Sequence, residues 1–175
     1  LYSDLIREIP AEPSKVMVLP HFTVTGPPNF ISNSSGVIAG LHLETNRGEI
    51  LKAILESVVL YLYDCLLSLK DVNIHLSSLR AVGGGSKSDA WIQIAADVIG
   101  LPFERPKNIE AGALGAALIA GVGAGIYSSF EDACSHVVKI ERTFSPDKNR
   151  HELYHRRYEK YKQLSPLLKD YLSDL

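Results

Sequence analysis

The chain has 175 residues, with 18 Lys or Arg against 20 Asp or Glu and a formal net charge of −2. A chain of that length buries one substantial core, so one domain is expected, and its mixed, near-neutral charge argues against nucleic acid as the main partner. The most apolar run, Ala111 to Tyr127, is shorter than the ~20 residues of a spanning helix and argues against a membrane partner.

Leu1 to Ile9 reads as the end of a helix stopped by Pro10 and Pro13. Val16 to Leu19 is a short buried strand, and Pro20 to Ser35 (PHFTVTGPPNFISNSS) has the composition of a long loop. Gly36 to Leu43 returns to strand. Glu49 to Lys70 is predicted as the longest helix. Ile50, Ile54, Val58, Tyr61, Cys65 and Leu69 form one apolar stripe and Leu51, Leu55, Leu62 and Leu66 a second, with Lys52 and Glu56 on the wetter side. A helix apolar on two faces belongs between layers.

Further on, Leu79 to Val82 is a short apolar run that meets Gly83, Gly84 and Gly85. Trp91, Ile94, Ala95, Val98 and Ile99 then fall at helical spacing. Leu101 to Arg105 is a short strand. Glu110 to Gly123 is a helix whose Ala and Gly content predicts burial backbone to backbone, packed on the Glu49–Lys70 helix or on the same sheet face. Phe130 to His136 is helical and Val137 to Phe144 extended. Asp147 to Leu172 is an amphipathic helix with Leu153, Tyr154, Tyr158, Tyr161 and Leu164 inward. Cys65 and Cys134 show no ligand spacing; buried free thiols in a reducing cytoplasm are expected.

Strand, glycine turn and helix bring backbone close to a ligand. Glycine reaches φ > 0, and N–H groups at the turn and helix start favour an anion or polar group. By itself a triple glycine is more often only a flexible turn, and it matches neither G-x-G-x-x-G nor the P-loop pattern. Ser88 and Asp89 either cap the following helix or reach a nucleotide.

Two further segments add weight. Gly36 to Glu56 (GVIAGLHLETNRGEILKAILE) has Gly40-Leu41, a seven-residue gap, Glu49, then Ile50, Ala53, Ile54, Leu55 and Glu56. It resembles the second signature of the FGGY carbohydrate kinases. Glu110 to Gly125 (EAGALGAALIAGVGAG) resembles the alanine–glycine helix that follows the adenosine motif of that family. The resemblance covers Val16 to Phe144.

The resemblance implies an α/β fold: the ribonuclease-H-like second lobe of the actin and sugar-kinase superfamily, a mixed sheet with flanking helices. It makes residues 1–175 the C-terminal nucleotide-binding domain of a sugar or polyol kinase, a fragment without the N-terminal lobe, cytoplasmic and inactive alone. ATP and Mg²⁺ are the implied cofactors, with Gly83, Gly84, Gly85, Ser88 and Asp89 against the adenosine part of ATP. The implied partners are ATP or ADP, a small sugar or polyol, the missing lobe and a possible second copy. The base aspartate and most Mg²⁺ ligands are expected upstream of Leu1; Asp4, Asp64, Asp71 and Asp89 sit in no such motif. The loop from His21 to Asn33 resembles one near the sugar cleft, but TGPPN lacks the arginine of that loop. Arg47 is expected in a structural salt bridge.

Three alternatives stand beside this reading. One is a nucleotide-binding or oligomerisation module without catalysis. Another is a zinc metallohydrolase through His151-Glu152-x-x-His155, which spells H-E-x-x-H. That motif lacks a convincing third ligand, with only Glu159, Asp170 and Asp174 following, and Arg150, Arg156 and Arg157 repel a cation, so a surface pattern is expected. A dinucleotide fold is weakest, because no acidic residue ends a second strand about twenty residues beyond the glycines.

Overall fold

A computed structural model describes residues 2–26, 30–32 and 35–173. Pro27, Pro28, Asn29 and Asn33 of the proline-rich loop, and Asp174, lie outside the described residues. The chain divides into two compact units: Leu1–His75 with Asp97–Gly100 and Pro146–Leu175, and Leu76–Ala96 with Leu101–Ser145.

In the first unit, α1 (Tyr2–Arg7) precedes the two prolines, and β1 (Met17–Leu19) pairs antiparallel with β2 (Val37–Ala39), Val18 opposite Ile38. Helix α2 (Arg47–Leu67) opens on a capping box. Asn46 Oδ1 accepts from Glu49 N–H at 3.1 Å, and Glu49 Oε2 accepts from Asn46 N–H at 3.2 Å. The reciprocal pair satisfies two backbone donors that a helix start leaves orphaned. Gly48 admits the end of α1, because a Cβ there would collide with the Glu8 carbonyl. The Glu8 carboxylate pairs with Arg47, as expected for a structural salt bridge. A 3₁₀ turn, Ser68–Val72, follows α2.

The buried face of α2 differs from the one its periodicity marked. Lys52 and Glu56, expected to be solvated, are 4% and 1% exposed, whereas Ile54, Val58 and Leu62 are exposed. The cause is a set of partners distant in sequence. Lys52 Nζ donates to Pro10 O at 3.0 Å and Ala11 O at 3.3 Å. Glu56 Oε1 accepts from Ser14 N–H at 3.1 Å and from Tyr154 Oη at 2.8 Å. These bonds offset much of the cost of taking both groups out of water, while Glu56 Oε2 is buried with no hydrogen bond among the described residues.

The longest helix is α6 (Lys148–Ser173), 26 residues against 21 for α2, which corrects the expected ranking. Tyr154, Tyr158 and Tyr161 are buried along its inward stripe, as expected, and Tyr158 donates its hydroxyl to Asp64. Leu153 and Leu164 of the same stripe are only half-buried.

The second unit holds a three-stranded mixed sheet, ordered β3 (Leu79–Arg80), β4 (Phe103–Pro106), β5 (Ile140–Phe144). β3 and β4 are parallel, with Leu79 opposite Phe103; β4 and β5 are antiparallel, with Phe103 opposite Phe144. A parallel pair needs a crossover, and α3 (Asp89–Ile99) supplies it. Its Ile92, Ile94, Ala95 and Ala96 are buried.

Helix α4 (Ala111–Gly123) packs on α5 (Phe130–Val137). It is not the buried helix its composition suggested. Only Leu118 and Gly121 are buried, Ile119 is 63% exposed, and a Cβ built on Gly112, Gly115 or Gly123 would meet open space. Within the second unit its packing partner is α5; within the first unit α2 packs on β1 and α1. Among the described residues neither cysteine is in a disulfide; Cys65 is half-buried, but Cys134 is exposed rather than buried. Among the described residues, no helix is long and apolar enough to cross a membrane.

Candidate functional site

The glycine turn sits where β3 gives out. Leu79 N–H donates to Pro102 O and Ala81 N–H to Glu104 O, both at 2.9 Å, and the ladder then ends. Gly83 turns the chain with φ +77° and ψ −171°, a conformation that a side chain would strain. Its N–H donates to Ile109 O at 2.7 Å, which holds the turn beside the start of α4.

Gly84–Lys87 is a short 3₁₀ helix. Ser86 is buried and locks it, its Oγ donating to Gly83 O at 2.7 Å. Gly84 and Gly85 stand at the head of the turn, where a helix start leaves its first N–H groups without a partner in the helix itself. A Cβ at Gly83 or Gly84 would find nothing within 4 Å, but at Gly85 it would lie 2.9 Å from the Trp91 ring. So Gly85 makes room for the indole, while Gly83 and Gly84 present bare backbone outward. The positive φ falls on Gly83 and not on Gly84.

Ser88 and Asp89 follow. Ser88 is buried and its Oγ accepts from Trp91 N–H at 3.3 Å, the capping role. Asp89 is 49% exposed and engaged at both oxygens, Oδ1 by Arg105 and Oδ2 by Arg142.

Arg105, on β4, was invisible to the sequence reading and organises the turn. Its guanidinium donates to Ser86 O at 3.2 Å, to Asp89, and through Nε to Glu141 Oε2 at 2.8 Å. Its side chain is 14% exposed, and Cζ stands 5.5 Å from the Phe144 ring centroid. The Asp89 bond is the largest influence and raises the guanidinium above its ordinary value, with Glu141 assisting against burial. A lone cation on a strand, 16 residues from its carboxylate, leaves no spacing signal.

The backbone of α4 begins without a side-chain cap: Glu110 supplies no capping hydrogen bond, and Asn108 Oδ1 accepts from Glu110 N–H at 3.0 Å instead. Together the turn and this helix start form a surface of exposed main chain with a few N–H groups, suited to a flat polar ligand or an anion.

The H-E-x-x-H pattern has a different use. His151 Nδ1 lies 3.0 Å from Asp97 O, in the last turn of α3. Gly100, at φ +77°, leaves the seat for its ring; a Cβ there would fall 2.5 Å from His151 Cε1. His155 is exposed. Among the described residues, no group of three or more His, Cys, Asp or Glu side chains is placed to hold a metal ion.

Strand, glycine turn, helix, parallel strand and alanine–glycine helix, on a mixed sheet with flanking helices, make this an α/β protein. The profile of the FGGY family of carbohydrate kinases, C-terminal domain, matches residues 3–124. The chain belongs to that family. It is 46% identical over 110 residues to autoinducer-2 kinase of Escherichia coli, an alignment covering 62% of this chain and 21% of the relative. The xylulose kinase structure from Rhodospirillum rubrum superposes with a TM-score of 0.79 at 30% identity, covering 97% of this chain and 34% of that one. Plasmodium falciparum glycerol kinase with ADP gives 0.75 at 27% identity, covering 92% and 32%. The fold is therefore that of the actin-like sugar-kinase superfamily, and the chain spans between about a fifth and about a third of the length of these relatives.

Proposed function

We propose that this chain, as one C-terminal nucleotide-binding domain, forms the adenosine-binding wall of an ATP-dependent sugar or polyol kinase. The observation that carries the reading is the Gly83 N–H to Ile109 O hydrogen bond, which sets two bare backbone segments side by side. Open space outside Gly83, Gly84 and Gly112 leaves room for a base and ribose. The structure of a related glycerol kinase with ADP supports the assignment.

In this reading Gly83 and Gly84 touch the nucleoside with their main chain, and Gly85 keeps Trp91 behind them. Ser88 supplies a hydroxyl at the edge. Asp89 acts through Arg105 and Arg142, holding the turn in place. ATP supplies the γ-phosphoryl group for in-line transfer to a substrate hydroxyl, and Mg²⁺ neutralises its charge. Binding one wall of the nucleotide contributes positioning, the larger share of catalysis in such transfers. The chain alone is inactive, works in the cytoplasm with a first lobe, and takes its sugar elsewhere than the glycine turn.

Trp91 is the sole tryptophan, so its fluorescence reports on the turn it lies against. Titration with ADP is expected to shift that emission saturably, with one site by calorimetry. A coupled ADP-release assay over ketoses, polyols and aldonates is expected to show no turnover by this chain. No ADP binding at millimolar concentration, or vigorous turnover, sinks the reading.

A further inference from the structure

A cavity of about 690 Å³ lies in the first unit between the Glu12–Met17 segment, the end of β2 and one face of α6. That size falls in the range of small-molecule sites. Its apolar lining includes Met17, Ala39, Leu153 and Leu164. The two leucines are the members of the inward stripe that stayed half-buried: the stripe is not closed here by protein.

Lys15, Arg156, Arg157 and Lys160 also line it, with Glu12 as the one carboxylate among the lining residues. Arg157 is anchored: Nη2 donates to Val16 O at 2.8 Å and stands 3.6 Å from Glu56 Oε2. Its Nε is buried and makes no hydrogen bond among the described residues. Arg156 and Lys160 stand at i,i+4 on one helix, a like-charge arrangement that destabilises an isolated helix. Neither they nor Lys15 have an ion-pair partner among the described residues. Even counting Glu12 and Glu56, positive charge is in excess around a partly apolar hollow.

We infer that this cavity binds a small, free phosphate monoester with an apolar body. Guanidinium forks match phosphate oxygens, a dianion answers the excess charge better than a carboxylate, and the leucines and Met17 cover the body. The site shares no residue with the glycine turn, so it stands or falls separately.

The probe is phenyl phosphate, titrated calorimetrically at low salt into the full chain. One site is expected, at least fivefold tighter than inorganic phosphate or benzoate, and weakening as salt rises. Arg156→Glu with Lys160→Glu, both exposed in the structure, is expected to weaken it at least tenfold with unchanged circular dichroism. Lys15→Glu, on a separate segment, gives the same direction if the helix variant fails to fold. Gly84→Val leaves it unchanged. Binding equal to benzoate, binding indifferent to these charge reversals, or capture by phosphatidate vesicles without phenyl phosphate binding would overturn the inference.

Discussion

Tyr154 donates its hydroxyl to the Glu56 carboxylate at 2.8 Å, joining α6 to α2 through residues 98 apart in sequence. The same carboxylate oxygen takes the Ser14 N–H, so three segments meet on one side chain. Tyr154→Phe is expected to cost about 1.5–3 kcal/mol, the worth of a hydrogen bond to a charged group. Glu56→Ala, which strands the half-buried Arg157 as well, is expected to cost about 3 kcal/mol. Urea unfolding of the three proteins measures both, and equal stability of wild type and Tyr154→Phe contradicts the assignment.

Burial is the largest influence on Glu56 and raises its carboxyl above the ordinary value of 4.5, against the pull of Arg157, the Tyr154 hydroxyl and Ser14 N–H. In the window above 4.5 the folded chain therefore holds more protons at this site than the unfolded chain. The contribution of Glu56 is present below the unfolded value and is lost as pH rises through the folded one, by at most about 1.4 kcal/mol per pH unit. Glu56→Gln removes that slope. Stability curves from pH 4 to 8 should show the variant gaining on wild type as pH rises; parallel curves contradict it.

Gly84→Val tests the nucleotide wall cleanly. A Cβ there meets no heavy atom within 4 Å and the position is not at positive φ, so folding should be preserved. ADP affinity should fall more than tenfold, which is about 1.4 kcal/mol. Gly83→Val serves as the contrast, because φ +77° makes it lose stability as well. Full ADP affinity in a folded Gly84→Val chain would reduce the glycines to a turn.

Arg105→Ala should loosen the turn without touching the nucleotide directly. Loss of its bonds to Ser86 O, Asp89 and Glu141 is expected to lower stability by about 1 kcal/mol, since both carboxylates are half exposed. ADP affinity should drop severalfold, with a shift in Trp91 emission in the absence of ligand. An unchanged emission spectrum would mean the turn holds without the arginine.

His151 should matter to stability and not to metal. His151→Ala is expected to lower the melting temperature by removing the ring seated on Gly100, while His155→Ala leaves it unchanged. Elemental analysis of untagged protein should find no stoichiometric zinc. One zinc per chain, lost in His155→Ala, reverses this reading.

Much of the element order was legible because glycine, proline and helical spacing are local signals. Gly83 to Gly85 marked the turn, Pro10 the end of α1, and the Trp91–Ile99 spacing α3. What failed was phase. In α2 apolar residues occur on nearly every side, so periodicity gave little direction, and the polar pair Lys52 and Glu56 looked like a solvated edge. Their partners at Pro10, Ser14 and Tyr154 lie 42 and 98 residues away. In α4 the Ala–Gly composition favours close packing but names no neighbour. Arg105 and the Gly83–Ile109 bond likewise depend on strand register, which no short window contains.

Glu49 and Glu56 of the Gly36–Glu56 signature serve architecture: Glu49 closes the capping box, and Glu56 clasps Ser14 and Tyr154. Their constraint is paid in folding whether or not phosphate is ever transferred. A descendant that abandoned catalysis would still need both carboxylates to assemble, so this signature is a record of ancestry rather than a gauge of turnover.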